Sequence, residues 1–192
     1  LLIFDEVITG FGRIGGAFAA SQWNVIPDMM TTAKGLTNGS IPMGAVMVSD
    51  SIYETCMHGP DGMIELFHGY TYSGHPVAAA AALAALDIYE DENLFDAVEQ
   101  IGQEFEQAVH TLADCPNVID IRNVGLVAGV QLAPSDKGVG KRGFEVFNRC
   151  FHNGTLVRAT GDIIALSPPL ILESKHIDRI VSTLADAITA SA

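Results

Sequence analysis

Two side chains in this sequence pair a nucleophile with an acid. Lys34 stands in Thr31-Thr32-Ala33-Lys34-Gly35-Leu36-Thr37-Asn38-Gly39, between small, polar and flexible neighbours. A lysine amine is protonated at neutral pH unless burial or nearby cations lower its pKa, and a Schiff base to an aldehyde is the common use of one so placed. A surface lysine before a turn is the plainer alternative, since Gly and Asn are ordinary turn residues. Asp5 ends the apolar run Leu1-Leu2-Ile3-Phe4 and is followed by Glu6. The run reads as a strand buried on both faces, and a carboxylate at the carboxyl end of such a strand sits where open α/β sheets bind ligands.

Elements that could position these two residues follow in order. Residues 43–48 read as a second buried strand and 51–57 as a short helix. His75-Pro76 opens an alanine-rich helix over 77–89, where small side chains suit close packing. From Leu94 the residues Leu94, Val98, Ile101, Phe105, Val109 and Leu112 step by three or four, an amphipathic helix. Strands are expected at 118–121 and 126–132 around Gly125. A helix is expected at 142–152, with Phe144, Phe147 and Phe151 inward and Asn153-Gly154 closing it. Strands return at 156–158 and 163–166, and Ser174 caps a last helix striped by Ile177, Ile180, Val181, Leu184 and Ile188. The change of pattern places a domain boundary near residues 90–93.

Composition narrows the function classes. With 192 residues, 48% of them hydrophobic, the chain can bury a sizeable core. A net charge of -13 and the lack of any basic run disfavour a nucleic-acid partner. Cys56, Cys115 and Cys150 lie far apart, which fits reduced thiols in a cytoplasmic protein better than a disulfide or zinc framework. No apolar run is long enough to span a bilayer, so no membrane is expected, and the opening on a strand without methionine reads as the later part of a longer protein.

Two tempting motifs are set aside. Gly10-Phe11-Gly12-Arg13-Ile14-Gly15 fits a dinucleotide fingerprint after a strand. Two carboxylates precede it and would repel a pyrophosphate, and only residues 17–25 are left for the helix before Pro27. The glycines serve better as a tight backbone turn beside a neighbouring subunit. His58, His68 and His75 lack helical ligand spacing and a close acid partner set, so no metal is expected.

Taken together, Leu1 to Arg13, Pro27-Asp28, Ala33-Lys34-Gly35-Leu36 and Thr71-Tyr72-Ser73-Gly74-His75-Pro76 resemble the class III aminotransferases in order and spacing, over the whole chain. Residues 36–46 are most similar to the omega-amino acid:pyruvate (beta-alanine:pyruvate) branch. The resemblance implies an α/β chain of fold type I, with 1–91 part of the large pyridoxal phosphate domain and 92–192 an α+β C-terminal small domain. It implies a cytoplasmic homodimer that moves an amino group from an omega-amino acid or amine to an oxo acid, pyruvate.

Under that resemblance Asp5 faces the pyridine nitrogen of pyridoxal 5'-phosphate and keeps it protonated. Val7, on the same side of the strand, presses on the ring, and Lys34 holds the aldehyde as an internal aldimine and then moves the proton. Thr71 reaches the cofactor phosphate across the subunit interface, and Arg158 grips the substrate carboxylate. Ile8 stands where the ornithine and 4-aminobutyrate branches have glutamine, which favours the pyruvate-linked branch. The family's earlier half, with its phosphate-cupping loop and ring-stacking aromatic, is not in this sequence. Alternatives are another class III chemistry on the same scaffold, an aminomutase or decarboxylase, and an inert, dimer-forming segment.

Overall fold

The computed structural model describes residues 1–63, 66, 68 and 71–192. Residues 64, 65, 67, 69 and 70, in the stretch that carries His58 and His68, lie outside the described residues. The chain divides into two compact units, one of residues 1–12 and 16–93, the other of residues 13–15 and 94–192.

The first unit is built on a three-stranded sheet of β1 (Ile3–Asp5), β2 (Met29–Thr32) and β3 (Ala45–Val48). Strands β1 and β2 are parallel, pairing Asp5 with Thr31, whereas β3 runs antiparallel to β2. Between them lie a four-residue helix α1 (Ala19–Gln22) and a 3-10 turn (Lys34–Thr37); α2 (Asp50–Met57) and α3 (Pro76–Asp91) follow. So short an α1 is no dinucleotide-binding helix.

Two strands depart from expectation. Neither β1 nor β3 is buried: Ile3 is 55% and Val46 63% exposed, and Leu1 and Leu2 are exposed as well. Apolar sequence on both faces shows that a strand can be covered on both, and among the described residues only β2 pairs with β1. Helix α3 is more one-sided: Ala78, Ala82, Ala85 and Tyr89 are its buried stripe, stepping four, three and four. Three methyl-sized residues let the helix approach closely, and the stripe ends on one long side chain.

The second unit is a four-stranded antiparallel sheet, in the order β4 (Val118–Val124), β5 (Val127–Leu132), β7 (Ile163–Leu166), β6 (Arg158–Thr160). Every second residue of β5 and β7 is buried, namely Ala128, Val130, Leu132, Ile164 and Leu166. Those residues join one core with α4 (Leu94–His110), α5 (Lys141–His152) and α6 (Ser174–Thr189). Residues 13–15 are stitched to this unit: Leu126 N donates to Arg13 O at 3.0 Å, and the Arg13 guanidinium donates to the carbonyls of Leu126 and Pro168. At the β4–β5 turn Gly125 has φ +51°, and a Cβ there would come within 2.5 Å of Ile14 Cα, so no other residue fits.

Helix α5 turns the opposite way from the expected one. Its buried residues are Gly143, Val146 and Cys150, while Phe144 and Phe151 are 59% and 58% exposed and stack on either side of the half-buried Phe147. Backbone approach decides the phase: a Cβ on Gly143 would come within 2.2 Å of Gly161 O, so only glycine lets the helix sit there. Helix α6 starts differently too. Ser174 is its first residue rather than its cap, its hydroxyl donating to Glu104, and Glu173 caps the helix in a reciprocal box with His176.

Cys150 lies fully buried, and burial pushes its thiol up from 9.0 to about 11. The unfolded chain therefore loses this proton before the folded one does. Between those two values the folded state binds more protons, so stability falls as pH rises, by up to about 1.4 kcal/mol per pH unit. Urea midpoints measured at about pH 8 and about pH 10 should diverge in the native protein and diverge less in Cys150→Val. Equal divergence would assign the pH dependence to other groups. No helix among the described residues is long and apolar enough to cross a membrane.

Candidate active site

In the parallel β1–β2 pair both strands point their carboxyl ends to one edge of the sheet. Asp5 is the last residue of β1, and Lys34 follows the end of β2 by two residues. The Asp5 carboxylate is exposed at this edge. Its Oδ1 accepts from Val7 N at 3.1 Å and from the Thr31 hydroxyl at 3.5 Å, and its Oδ2 has no partner among the described residues. One lone pair set is thus left open to an outside donor.

Val7 stands beside Asp5 for a different reason from the one expected. Strand β1 ends at Asp5, so alternation cannot carry a face to residue 7; instead the chain folds back in an Asx turn through the Val7 amide.

Glu6 points the other way and is 1% exposed. Its two carboxylate oxygens accept from the amides of Ala19 at 3.0 Å and Ala20 at 2.8 Å, and Thr9 Oγ1 also donates to it. Its own amide continues the ladder to Thr31 O at 2.9 Å. Sequence reasoning treated Glu6 only as a repulsive charge; the structure makes it the buried anchor of the segment behind Asp5. Hydrogen bonds to a charged group are worth about 1.5–3 kcal/mol each. Glu6→Gln should lower stability by about 2–3 kcal/mol, because an amide nitrogen would then face a backbone N–H. A urea midpoint unchanged from wild type would contradict this anchoring role.

Lys34 begins the 3-10 turn with φ +43°, a left-handed conformation that costs a side-chain-bearing residue on the order of 1–3 kcal/mol. Strong local fixation holds it there. Leu36 N donates to Ala33 O, Asn38 N to Gly35 O, Gly39 N to Lys34 O, and Asn38 closes the turn, itself left-handed. The amine is exposed and has no partner among the described residues. It is thus not desolvated by this chain's own atoms.

Thr71 is exposed in a bend before α3, next to a cleft of about 640 Å³ lined by residues 41–44, 72–75 and Ala78. Ile8 is exposed beside Val7. Arg158 belongs to the second unit, as the first residue of β6, and its guanidinium has no partner among the described residues. It lines a cleft of about 770 Å³ with Phe144, Phe147, Val157, His176 and Arg179, so two rings of the α5 ladder and two arginines line the same cleft. The turn after β6 is held by Asp162, buried, whose carboxylate accepts from Gly140 N at 2.6 Å and Gly143 N at 3.0 Å at the start of α5. Among the described residues no group of three or more His, Cys, Asp or Glu could hold a metal ion.

A carboxylate and a primary amine at the end of a parallel pair, each with open hydrogen-bonding capacity, can hold a cationic ring and attack a carbonyl. Comparison with known proteins gives the chain a family. The family model described as aminotransferase class-III matches residues 1–188. The chain is a class III aminotransferase sequence. It is 55% identical over 184 residues to an omega-aminotransferase of Caulobacter vibrioides, covering 96% of this chain and 42% of that protein. It is 45% identical over 190 residues to an omega-amino acid–pyruvate aminotransferase of Pseudomonas putida, covering 98% of this chain and 42% of that one.

Among solved structures, a thermostable (S)-enantioselective omega-transaminase from Thermomicrobium roseum superposes with a TM-score of 0.90 at 37% identity, over 100% of this chain and 44% of that chain. The α/β architecture is therefore that of the fold type I transaminases, and the cofactor of this class is pyridoxal 5'-phosphate. The class III chain described here spans less than half the length of these relatives.

Proposed function

We propose that this chain is part of a pyridoxal phosphate-dependent aminotransferase that transfers an amino group from an omega-amino acid or amine to pyruvate, acting as a cytoplasmic homodimer. The observation that supports the reading is the position of Asp5 and Lys34, both exposed, at the carboxyl ends of the parallel strands β1 and β2 in a chain of this family. The relatives at 55% and 45% identity carry omega-aminotransferase and omega-amino acid–pyruvate names, which supports the substrate class.

Bound at this edge, the cofactor supplies a protonated pyridine ring that serves as an electron sink for a carbanion at the substrate carbon. Asp5 would hold the ring nitrogen and, as an adjacent anion, would keep its proton in place. Val7, whose amide is bonded to Asp5, would pack against the ring. Lys34 is the nucleophile toward the cofactor aldehyde and the base that takes and returns the substrate's carbon proton. Thr71 holds the phosphate of the partner subunit's site through its hydroxyl and amide. Arg158 takes the substrate carboxylate in a planar, two-pronged grip and swings aside for an uncharged amine.

An aminomutase or decarboxylase would use Asp5 and Lys34 in the same way, and the names of the relatives favour the transaminase. The test is made on the full-length protein. It should show a visible band with pyridoxal phosphate, borohydride should fix a pyridoxyl group on the Lys34 peptide, and pyruvate should accept the amino group from beta-alanine or a simple amine. A pyridoxyl group on another lysine, or no transfer to pyruvate, would overturn the assignment.

A further inference from the structure

The Lys34 backbone is left-handed, and the peptide that follows it is held by side chains far away in sequence. Gly35 O accepts twice, from Asn38 N at 3.1 Å and from Tyr89 Oη at 2.7 Å. The Asn38 bond belongs to the turn and moves with it. The Tyr89 bond does not, because Tyr89 ends the buried stripe of the 16-residue helix α3.

Phe11 holds the same glycine from another direction. A Cβ on Gly35 would come within 2.8 Å of Phe11 Cβ, so the two residues are in close contact. The Phe11 ring stacks on Tyr89, with centroids 6.3 Å apart and planes 26° apart, and meets Phe18 edge-on at 5.3 Å. Phe11 N donates to Ala17 O, and Gly10 N to Glu6 O. One run of contacts thus leads from the residue after Asp5, through Phe11, to the residue after Lys34.

We propose that Tyr89 and Phe11 are positioning residues for the lysine: the Tyr89 hydroxyl and the Phe11 ring fix the Lys34–Gly35 peptide, so that the amine leaves the sheet edge in one direction set relative to Asp5. The inference rests on Lys34 being the cofactor-bearing amine. Neither residue touches the reacting atoms. Their effect is on how long the amine spends in its working geometry, since a small misplacement of a reacting group lowers rates steeply.

The experiment uses the full-length protein loaded with pyridoxal phosphate, comparing wild type, Tyr89→Phe and Gly35→Ala. Tyr89→Phe keeps the ring stack and removes only the donor; Gly35→Ala keeps the donor and pushes the turn off Phe11. Three quantities are read: the thermal midpoint, the pH midpoint of the cofactor's visible band, and the single-turnover rate with a saturating amine. Each variant should slow the amine reaction by about tenfold and move the pH midpoint by roughly half a unit. For Tyr89→Phe the thermal midpoint should stay within a few degrees of wild type.

A rate within twofold of wild type and an unmoved pH midpoint in Tyr89→Phe would overturn the proposal, whatever the thermal midpoint does. Should that variant not fold, the same two readings on Gly35→Ala decide it. Borohydride mapping on wild type separates the two levels of inference. A pyridoxyl group on Lys34 with normal variants overturns the positioning role alone, and a group elsewhere overturns the assignment of Lys34 and this role with it.

Discussion

Lys34→Ala in the full-length protein should lower kcat/KM for amine and pyruvate by about 10⁴-fold or more, because one side chain is asked to serve as both nucleophile and proton carrier. General acid–base catalysis alone contributes about 10²–10⁴-fold, and losing the covalent handle adds to it. The folded state should survive the change: Lys34 is exposed, its amine has no partner among the described residues, and the turn is held by backbone bonds that alanine retains. Alanine at φ +43° keeps the same backbone strain, so the thermal midpoint of the apoprotein should move little. A variant that retains even a hundredth of the activity would show that another amine does the chemistry.

Asp5→Asn should be the next most damaging change to activity, with kcat falling by roughly 10²–10³-fold. The neutral amide no longer favours a proton on the ring nitrogen, and without that proton the ring is a poor electron sink. Steady-state rates and the cofactor's absorbance measure the loss, and an added Asp5→Glu variant should recover part of it by restoring the anion. Stability is expected to change little, since among the described residues the Asp5 carboxylate accepts only from Val7 N and, at 3.5 Å, from Thr31. Glu6→Gln inverts the pattern: its carboxylate is spent on two backbone amides and a hydroxyl, so its loss is felt in folding. Full activity in Asp5→Asn would mean that the ring nitrogen is held by some other group.

Neighbouring acids with opposite duties illustrate what the sequence can and cannot convey. That Asp5 ends a strand was legible, because an apolar run closed by charged residues marks a strand end locally; β2, which leads to Lys34, was not among the expected strands. Which acid faces solvent depends on the turn after β1, and the turn is decided by Ala19 and Ala20, more than ten residues on. The helices were legible to within a few residues from their periodicity, α4 and α6 above all. The phase of α5 was not. Phe144, Phe147 and Phe151 step by three and four, and so do Gly143, Val146 and Cys150. Bulk favours the first set as core, and a backbone contact with Gly161 selects the second.

Coverage of β1 and β3 was equally hidden, because an apolar strand says nothing about what lies against it in the same chain. Tyr89 escaped notice for a related reason. It reads as one more residue of an alanine-rich helix, and only the fold brings its hydroxyl to a carbonyl 54 positions away. A cue was present in the stripe Ala78, Ala82, Ala85, Tyr89, in which a lone polar tip follows three methyl groups.

The left-handed backbone at position 34 also sets a conflict between selection for durability and selection for chemistry. Glycine and asparagine are the residues most at ease there, as Asn38 and Gly39 show a few positions later in the same turn. Each would relieve strain, and neither carries an amine. The substitutions that make this turn more comfortable are therefore the ones that silence it, and a stabilised variant found by screening for heat resistance alone would be drawn toward an inactive protein.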